Sequence, residues 1–138
     1  MGARESFRFR SPPLSKKSLK TLRVQSFYAQ NGRCHYCQGP MWLSSPDELG
    51  MLPRSARPYQ CTAEHLLARQ DGGRDAPDNI VAACHLCNQR RHRRPTPAPS
   101  AESYQSQVRQ RVAKGKWHSS DQALAPRIHL LPNRPSAD

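Results

Sequence analysis

Apolar residues come in short groups along this chain, and their spacing changes from helical to alternating and back. Leu19, Leu22, Phe27 and Tyr28 fall roughly on one helical face behind Ser15 or Ser18 as a cap, and Asn31-Gly32 supplies a stop. Tyr59 to His65 reads as a strand, Leu66 to Asp78 as a glycine-containing loop, and Asn79 to Ala83 as a second, β-branched strand. Cys84 ends that strand, and a helix is expected through about Arg94, stopped by Pro95. Residues 40–60 hold Met41, Trp42 and Leu43 followed by turn formers, a variable excursion in which Arg54 and Arg57 are expected on a solvated loop, with phosphate contact as the alternative. Downstream, Ser100 to Lys114 reads as another helix, with Tyr104, Val108 and Val112 on one stripe and Arg109, Arg111 and Lys114 available to phosphate. Trp117 is expected to pack back on the core. The resulting division is a basic flexible arm over 1–14, a central domain over 15–95, a linker and C-terminal helix over 96–117, and a flexible tail over 118–138.

Composition narrows what these elements can build. With 138 residues, 36% of them hydrophobic, and 13 prolines, the chain has room for one domain plus tails and little apolar mass for a core. A metal staple would compensate. The net charge of +12, with a pI near 10.3, favours a polyanionic partner, above all nucleic acid.

Five cysteines is an odd number, and four of them form two C-x-x-C pairs, Cys34/Cys37 and Cys84/Cys87. That is a metal pattern rather than a disulfide framework, and it points to a reducing interior. A redox C-x-x-C would want the strand-to-helix setting of a thioredoxin-like unit, which is absent around Cys34. Four thiolates close a tetrahedral Zn2+ site, whose binding energy, on the order of 10 kcal/mol or more, becomes folding energy. Cys61, the fifth, reads as a buried strand residue. No run approaches the roughly 18 apolar residues of a membrane span, so the expectation is a soluble, cytoplasmic protein with no membrane contact.

The remaining chemistry lies between Cys61 and His92: the Glu64-His65 pair, the Gly72-Gly73 turn, Asn79 ahead of an apolar run, and Asn88 directly after Cys87. A lone Glu-His dipeptide is most often a surface accident; in this order and spacing, with both cysteine pairs, these residues resemble the HNH endonucleases over about residues 20–95. The resemblance implies a small α+β protein: a zinc-stapled ββα-metal (HNH) core with flanking helices and disordered basic termini, the nuclease domain being 15–95. It implies hydrolysis of DNA phosphodiester bonds, leaving 3′-hydroxyl and 5′-phosphate ends.

In that family His65 matches the general base, and Asn79 the asparagine whose hydrogen bonds hold the loop. Glu64 and Asn88 match the two metal-binding positions, although most members have aspartate at the first. Their oxygens suit Mg2+ or Mn2+. His92, four residues after Asn88 and hence on its helical face, is a third ligand in some relatives and would make softer ions competitive; otherwise it is one more basic residue in QRRHRR. Relatives often have proline where this chain has Ala68, which loosens the loop. Arg90, Arg91, Arg93 and Arg94 form a basic helix end for the DNA backbone, and His85 is expected at the surface or on a phosphate. A monomer with one active site would nick; monomer or dimer is left open by the sequence. The alternative is a non-catalytic zinc-bound DNA- or RNA-binding module with a degenerate HNH site.

Overall fold

The computed structural model describes residues 17–93 and 98–118. The expected basic arm, Arg94 and the tail beyond His118 lie outside the described residues. The first helix, α1 (Leu19–Ala29), starts at Ser18, whose hydroxyl accepts the Thr21 N–H at 3.1 Å. It ends in a Schellman arrangement: Gly32 N–H reaches Phe27 C=O (2.9 Å) and Asn31 N–H reaches Tyr28 C=O (3.1 Å), with Asn31 and Gly32 both left-handed.

The face that α1 turns inward differs from the expected apolar stripe. Leu22 is its one buried residue, and Tyr28 is 66% exposed. Its inward contacts are largely polar, because the helix lies against strand backbone that needs donors. The strands β1 (Cys61–His65) and β2 (Ile80–Cys84) form a two-stranded antiparallel sheet with Cys61 opposite Cys84 and His65 opposite Ile80. Ser26 Oγ donates to Ile80 C=O, and the Gln30 amide both donates to Ala82 C=O and accepts its N–H, each at 2.9 Å. Ile80 and Ala82, two apart, face the same open edge of β2, and these side chains close it.

Residues 34–37 form a knuckle suspended from that same edge through His35 N–H to Ala82 C=O (3.0 Å). The excursion over 40–60 is a folded unit rather than a loose loop. Glu48 and Ser45 form a capping box, and the Glu48 carboxylate also accepts the Leu43 and Ser44 N–H groups. A short helix α2 (Pro53–Ala56) then leads into a 3-10 turn (Arg57–Tyr59), so β1 begins at Cys61 and not at Tyr59. Leu49, Met51, Ala56 and Tyr59 make a small core beneath Trp42, whose indole N–H donates to Ala56 C=O (2.8 Å).

After β2 comes α3 (His85–Arg91), shorter than expected because His92 caps it. The last helix, α4 (Ala101–Ala113), is capped by Ser100. It buries Tyr104 and Val108 against the cysteine-lined main core, with Val112 and Trp117 packed around them. Full burial of a side chain such as Val108 contributes about 1.5–3 kcal/mol. Tyr104 OH donates to Cys87 C=O (2.7 Å), and Arg109 donates to the His35 and Tyr36 carbonyls, so that arginine is engaged with the knuckle. No helix among the described residues is long and apolar enough to cross a membrane.

Candidate active site

The two C-x-x-C pairs meet. The sulfurs of Cys34, Cys37, Cys84 and Cys87, all buried, lie within 4.8 Å of one another, and Cys37 and Cys84 are 3.9 Å apart. Backbone N–H groups of Tyr36 and Cys84 point at Cys34 Sγ (3.3 Å each), Gly39 N–H at Cys37 Sγ, and the Trp117 indole N–H at Cys87 Sγ (3.3 Å). Hydrogen bonds among the sulfurs, from Cys34 first, hold the Cys37 thiol far below its ordinary range. Four converging sulfurs ringed by N–H donors form a donor set for one tetrahedral thiophilic cation. Cys61 lies apart from this cluster; burial pushes its thiol up to about 11.

At the His65 end of β1 a pocket of about 290 Å³ is lined by Glu64, His65, Arg69, Asn88 and His92, among others. The orientation of Asn88 follows from its neighbours. Thr62 Oγ1 donates to Ala83 C=O (2.7 Å) and so must accept from Asn88 Nδ2 (2.9 Å), which also points at Ala63 C=O. The amide oxygen is thereby turned away from the strand, without a protein partner among the described residues.

Glu64, though only 2% exposed, divides its carboxylate between two environments. Its Oε2 accepts from Tyr36 OH and Arg91 Nη1, both at 2.7 Å, while Oε1 meets His92 Nε2 at 3.1 Å. Burial, and then the Glu64 charge, keeps the Tyr36 phenol protonated well above its ordinary range, so it is a steady donor. Arg91 also donates to the carbonyls of His65, Leu66 and Pro99, tying the end of β1 to the segment before α4.

His65 ends β1 with Nε2 2.7 Å from Asp75 Oδ1, in the loop that joins the strands. Arg69 Nη2 touches both Asp75 oxygens (3.0 and 3.2 Å). The hydrogen bond from His65, with Arg69 adding its charge, holds the Asp75 carboxyl below the usual carboxylate range. Asn79 clasps this loop: its Oδ1 accepts the Leu67 N–H (2.8 Å) and its Nδ2 donates to the Leu67 and Arg74 carbonyls (3.1 Å each). Gly73 is required by close approach, since a Cβ there would lie 1.7 Å from Leu67 O.

Residues 34–94 match the HNH endonuclease family. A stretch of 67 residues is 31% identical to the CRISPR-associated endonuclease Cas9 of Corynebacterium diphtheriae, covering 49% of this chain but only 5% of that much longer protein. No solved structure matches the chain. Within the matched segment the sheet, the loop clasped by Asn79 and α3 bring Glu64, His65, Asn88 and His92 to one pocket.

The basic helix end divides. Arg91 is buried at 4% exposure and bound to Glu64, which removes it from the expected DNA-facing set: three residues after Asn88, it shares the face of α3 that packs on β1, where Glu64 and the His65 and Leu66 carbonyls take its N–H groups. Arg90 stacks on Trp117 (4.6 Å to the ring centroid) and donates to its carbonyl, while Arg93 is exposed. Three site residues have no signal in the sequence of the matched segment. Tyr36 hides between two cysteines, Arg91 within an arginine run, and Asp75 among ordinary loop residues; only knowing that Glu64 and His65 each need a partner would have prompted the search.

Proposed function

We propose that the chain is a metal-dependent HNH endonuclease that hydrolyses DNA phosphodiester bonds, nicking one strand per active site, with His65 as general base. The convergence of His65, Glu64 Oε1, the outward Asn88 oxygen and His92 on one pocket carries this reading. With Nε2 occupied by Asp75, His65 keeps Nδ1 to accept a proton from water. Glu64 and Asn88 would hold the catalytic cation as two oxygen donors suited to Mg2+ or Mn2+, with His92 placed to add a nitrogen. When bound, that ion polarises a non-bridging phosphate oxygen and neutralises charge on the departing one. Cys34, Cys37, Cys84 and Cys87 would hold Zn2+ as a structural ion, fixing the knuckle to the root of α3. Arg93 and the net charge of +12 support a DNA partner contacted mainly through its backbone.

The test is incubation of the zinc-loaded protein with supercoiled plasmid and Mg2+ or Mn2+, beside His65→Ala and an EDTA control. Nicking lost with EDTA and reduced roughly 10^2- to 10^4-fold by His65→Ala is the expected result. One observation favours a second reading, a binding module with a degenerate site: the Arg91 guanidinium neutralises Glu64 from within, which weakens its pull on a cation. Plasmid binding without cutting in either metal would select that reading.

A further inference from the structure

Asp75 stands in a position that chain folding has to hold deliberately. It lies 10 residues beyond His65, in a loop pressed so close that Gly73 admits no Cβ. Its neighbour Arg74 has its carbonyl gripped by Asn79 Nδ2 (3.1 Å) and by the Ala76 N–H (2.9 Å), so the backbone that carries Asp75 is fixed on both sides. The same asparagine fixes Leu67, two residues after His65. A single side chain thus sets the distance between the imidazole-bearing and carboxylate-bearing arms of the loop.

The chemistry of the contact is directional. An ionised carboxylate only accepts, so at 2.7 Å the proton between the two groups belongs to His65 Nε2, and the neutral ring is left with its lone pair on Nδ1. A histidine of the other tautomer, protonated at Nδ1, cannot take a proton from water through that nitrogen. Arg69 Nη2 holds both oxygens of the carboxylate, and Arg69 is itself at the pocket wall.

We propose that Asp75 is the positioning residue for His65, selecting the imidazole tautomer and ring orientation in which Nδ1 is the base. The inference rests on the nuclease reading for its kinetic consequence, though the tautomer itself can be read without any turnover. Asp75 is partly exposed, with 31% of its side-chain surface open, so water replaces it in part when it is removed. The expected loss for Asp75→Ala is therefore on the order of 10- to 100-fold in kcat, smaller than the roughly 10^4-fold loss when the buried aspartate of a serine-protease triad is altered. KM for plasmid should stay within about twofold, and Asp75→Glu, which keeps the carboxylate, should recover part of the rate.

The second readout is the nitrogen NMR spectrum of histidine-labelled protein about two pH units above the ordinary histidine value. The His65 signals are assigned among the six histidines by their loss in His65→Gln. The wild type should show His65 protonated at Nε2, and Asp75→Ala a mixture of tautomers. Cleavage by Asp75→Ala as fast as the wild type or faster, or an unchanged tautomer, overturns the proposal while leaving the nuclease reading intact. If the wild type fails to cleave in either metal, the nuclease reading fails, and the spectra alone decide whether Asp75 sets the ring: a shifted tautomer supports it and an unshifted one overturns it.

Discussion

Arg91 Nη1 lies 2.7 Å from Glu64 Oε2, with the two side chains 3% and 2% exposed. Such a sealed pair holds together because each member is otherwise satisfied: Tyr36 donates to the same oxygen, and three backbone carbonyls take the other guanidinium N–H groups. Removing one partner leaves a buried charge without compensation, which costs about 3–5 kcal/mol. Arg91→Met should therefore lower the unfolding free energy of the zinc-loaded protein, read from urea denaturation, by that much, and Arg91→Lys should recover little, since one ammonium cannot reach all of these acceptors. The double variant Glu64→Gln/Arg91→Met should be more stable than Arg91→Met alone. Equal stability of Arg91→Met and the wild type would show that the pair is not a structural tie.

The residues of the site that were readable from sequence are those whose chemistry fixes their local spacing. Cys34/Cys37 and Cys84/Cys87 must be three apart to share an ion, Asn88 must follow on the same helix, and Asn79 must open the second strand. Tyr36, Asp75 and Arg91 obey no such rule, because each meets its partner only after the knuckle, the loop and α3 have been brought together. The same limit explains the inward face of α1. An apolar stripe is the right expectation for a helix over a sheet face, but Arg23, Ser26 and Gln30 serve strand carbonyls, and hydrogen-bond demand at an edge leaves no periodic trace. Residues 40–60 looked like a loop because their turn formers were counted; four apolar residues spaced among those turns make the small core under Trp42.

The cysteine cluster and Cys61 should behave oppositely on substitution. Cys37→Ser removes one of four converging sulfurs, and with zinc supplying folding energy on the order of 10 kcal/mol, the core should lose both its ion and its cooperative unfolding. Cys61→Ala, at a buried neutral thiol outside the cluster, should cost roughly 1 kcal/mol and keep one zinc per chain. Metal analysis beside circular dichroism reads both. Loss of zinc from Cys61→Ala would mean that this cysteine belongs to the metal site.

Two adjacent glycines in the ββ loop are constrained for different reasons. Gly72 has φ +98° with open space around it, so Gly72→Ala incurs backbone strain of about 1–2 kcal/mol and no clash. At Gly73 the added Cβ would meet the Leu67 carbonyl oxygen at 1.7 Å, and relief requires moving the backbone that Asn79 clasps. Hydrogen exchange at the Leu67 amide, which donates to Asn79 Oδ1, should accelerate strongly in Gly73→Ala and only slightly in Gly72→Ala. The reverse order would place the strain of the loop at the left-handed residue instead.

Thr62 offers a way to disturb the proposed cation site without touching any of its ligands. Its hydroxyl donates to Ala83 C=O and accepts the Asn88 amide, and that relay turns the Asn88 oxygen away from the strand. Thr62→Val keeps the shape and removes the relay, freeing the amide to rotate. Removing a group that orients a metal ligand weakens metal affinity by about 10- to 100-fold, so Mn2+ binding followed by electron paramagnetic resonance should fall by that factor. Asn88→Ala, which removes the oxygen itself, should fall further. Zinc content should be unchanged in both, because neither residue supplies a sulfur to the cysteine cluster. Mn2+ affinity unchanged in Thr62→Val but lost in Asn88→Ala would show that Asn88 holds its orientation unaided, and affinity unchanged in both would remove Asn88 from the cation site.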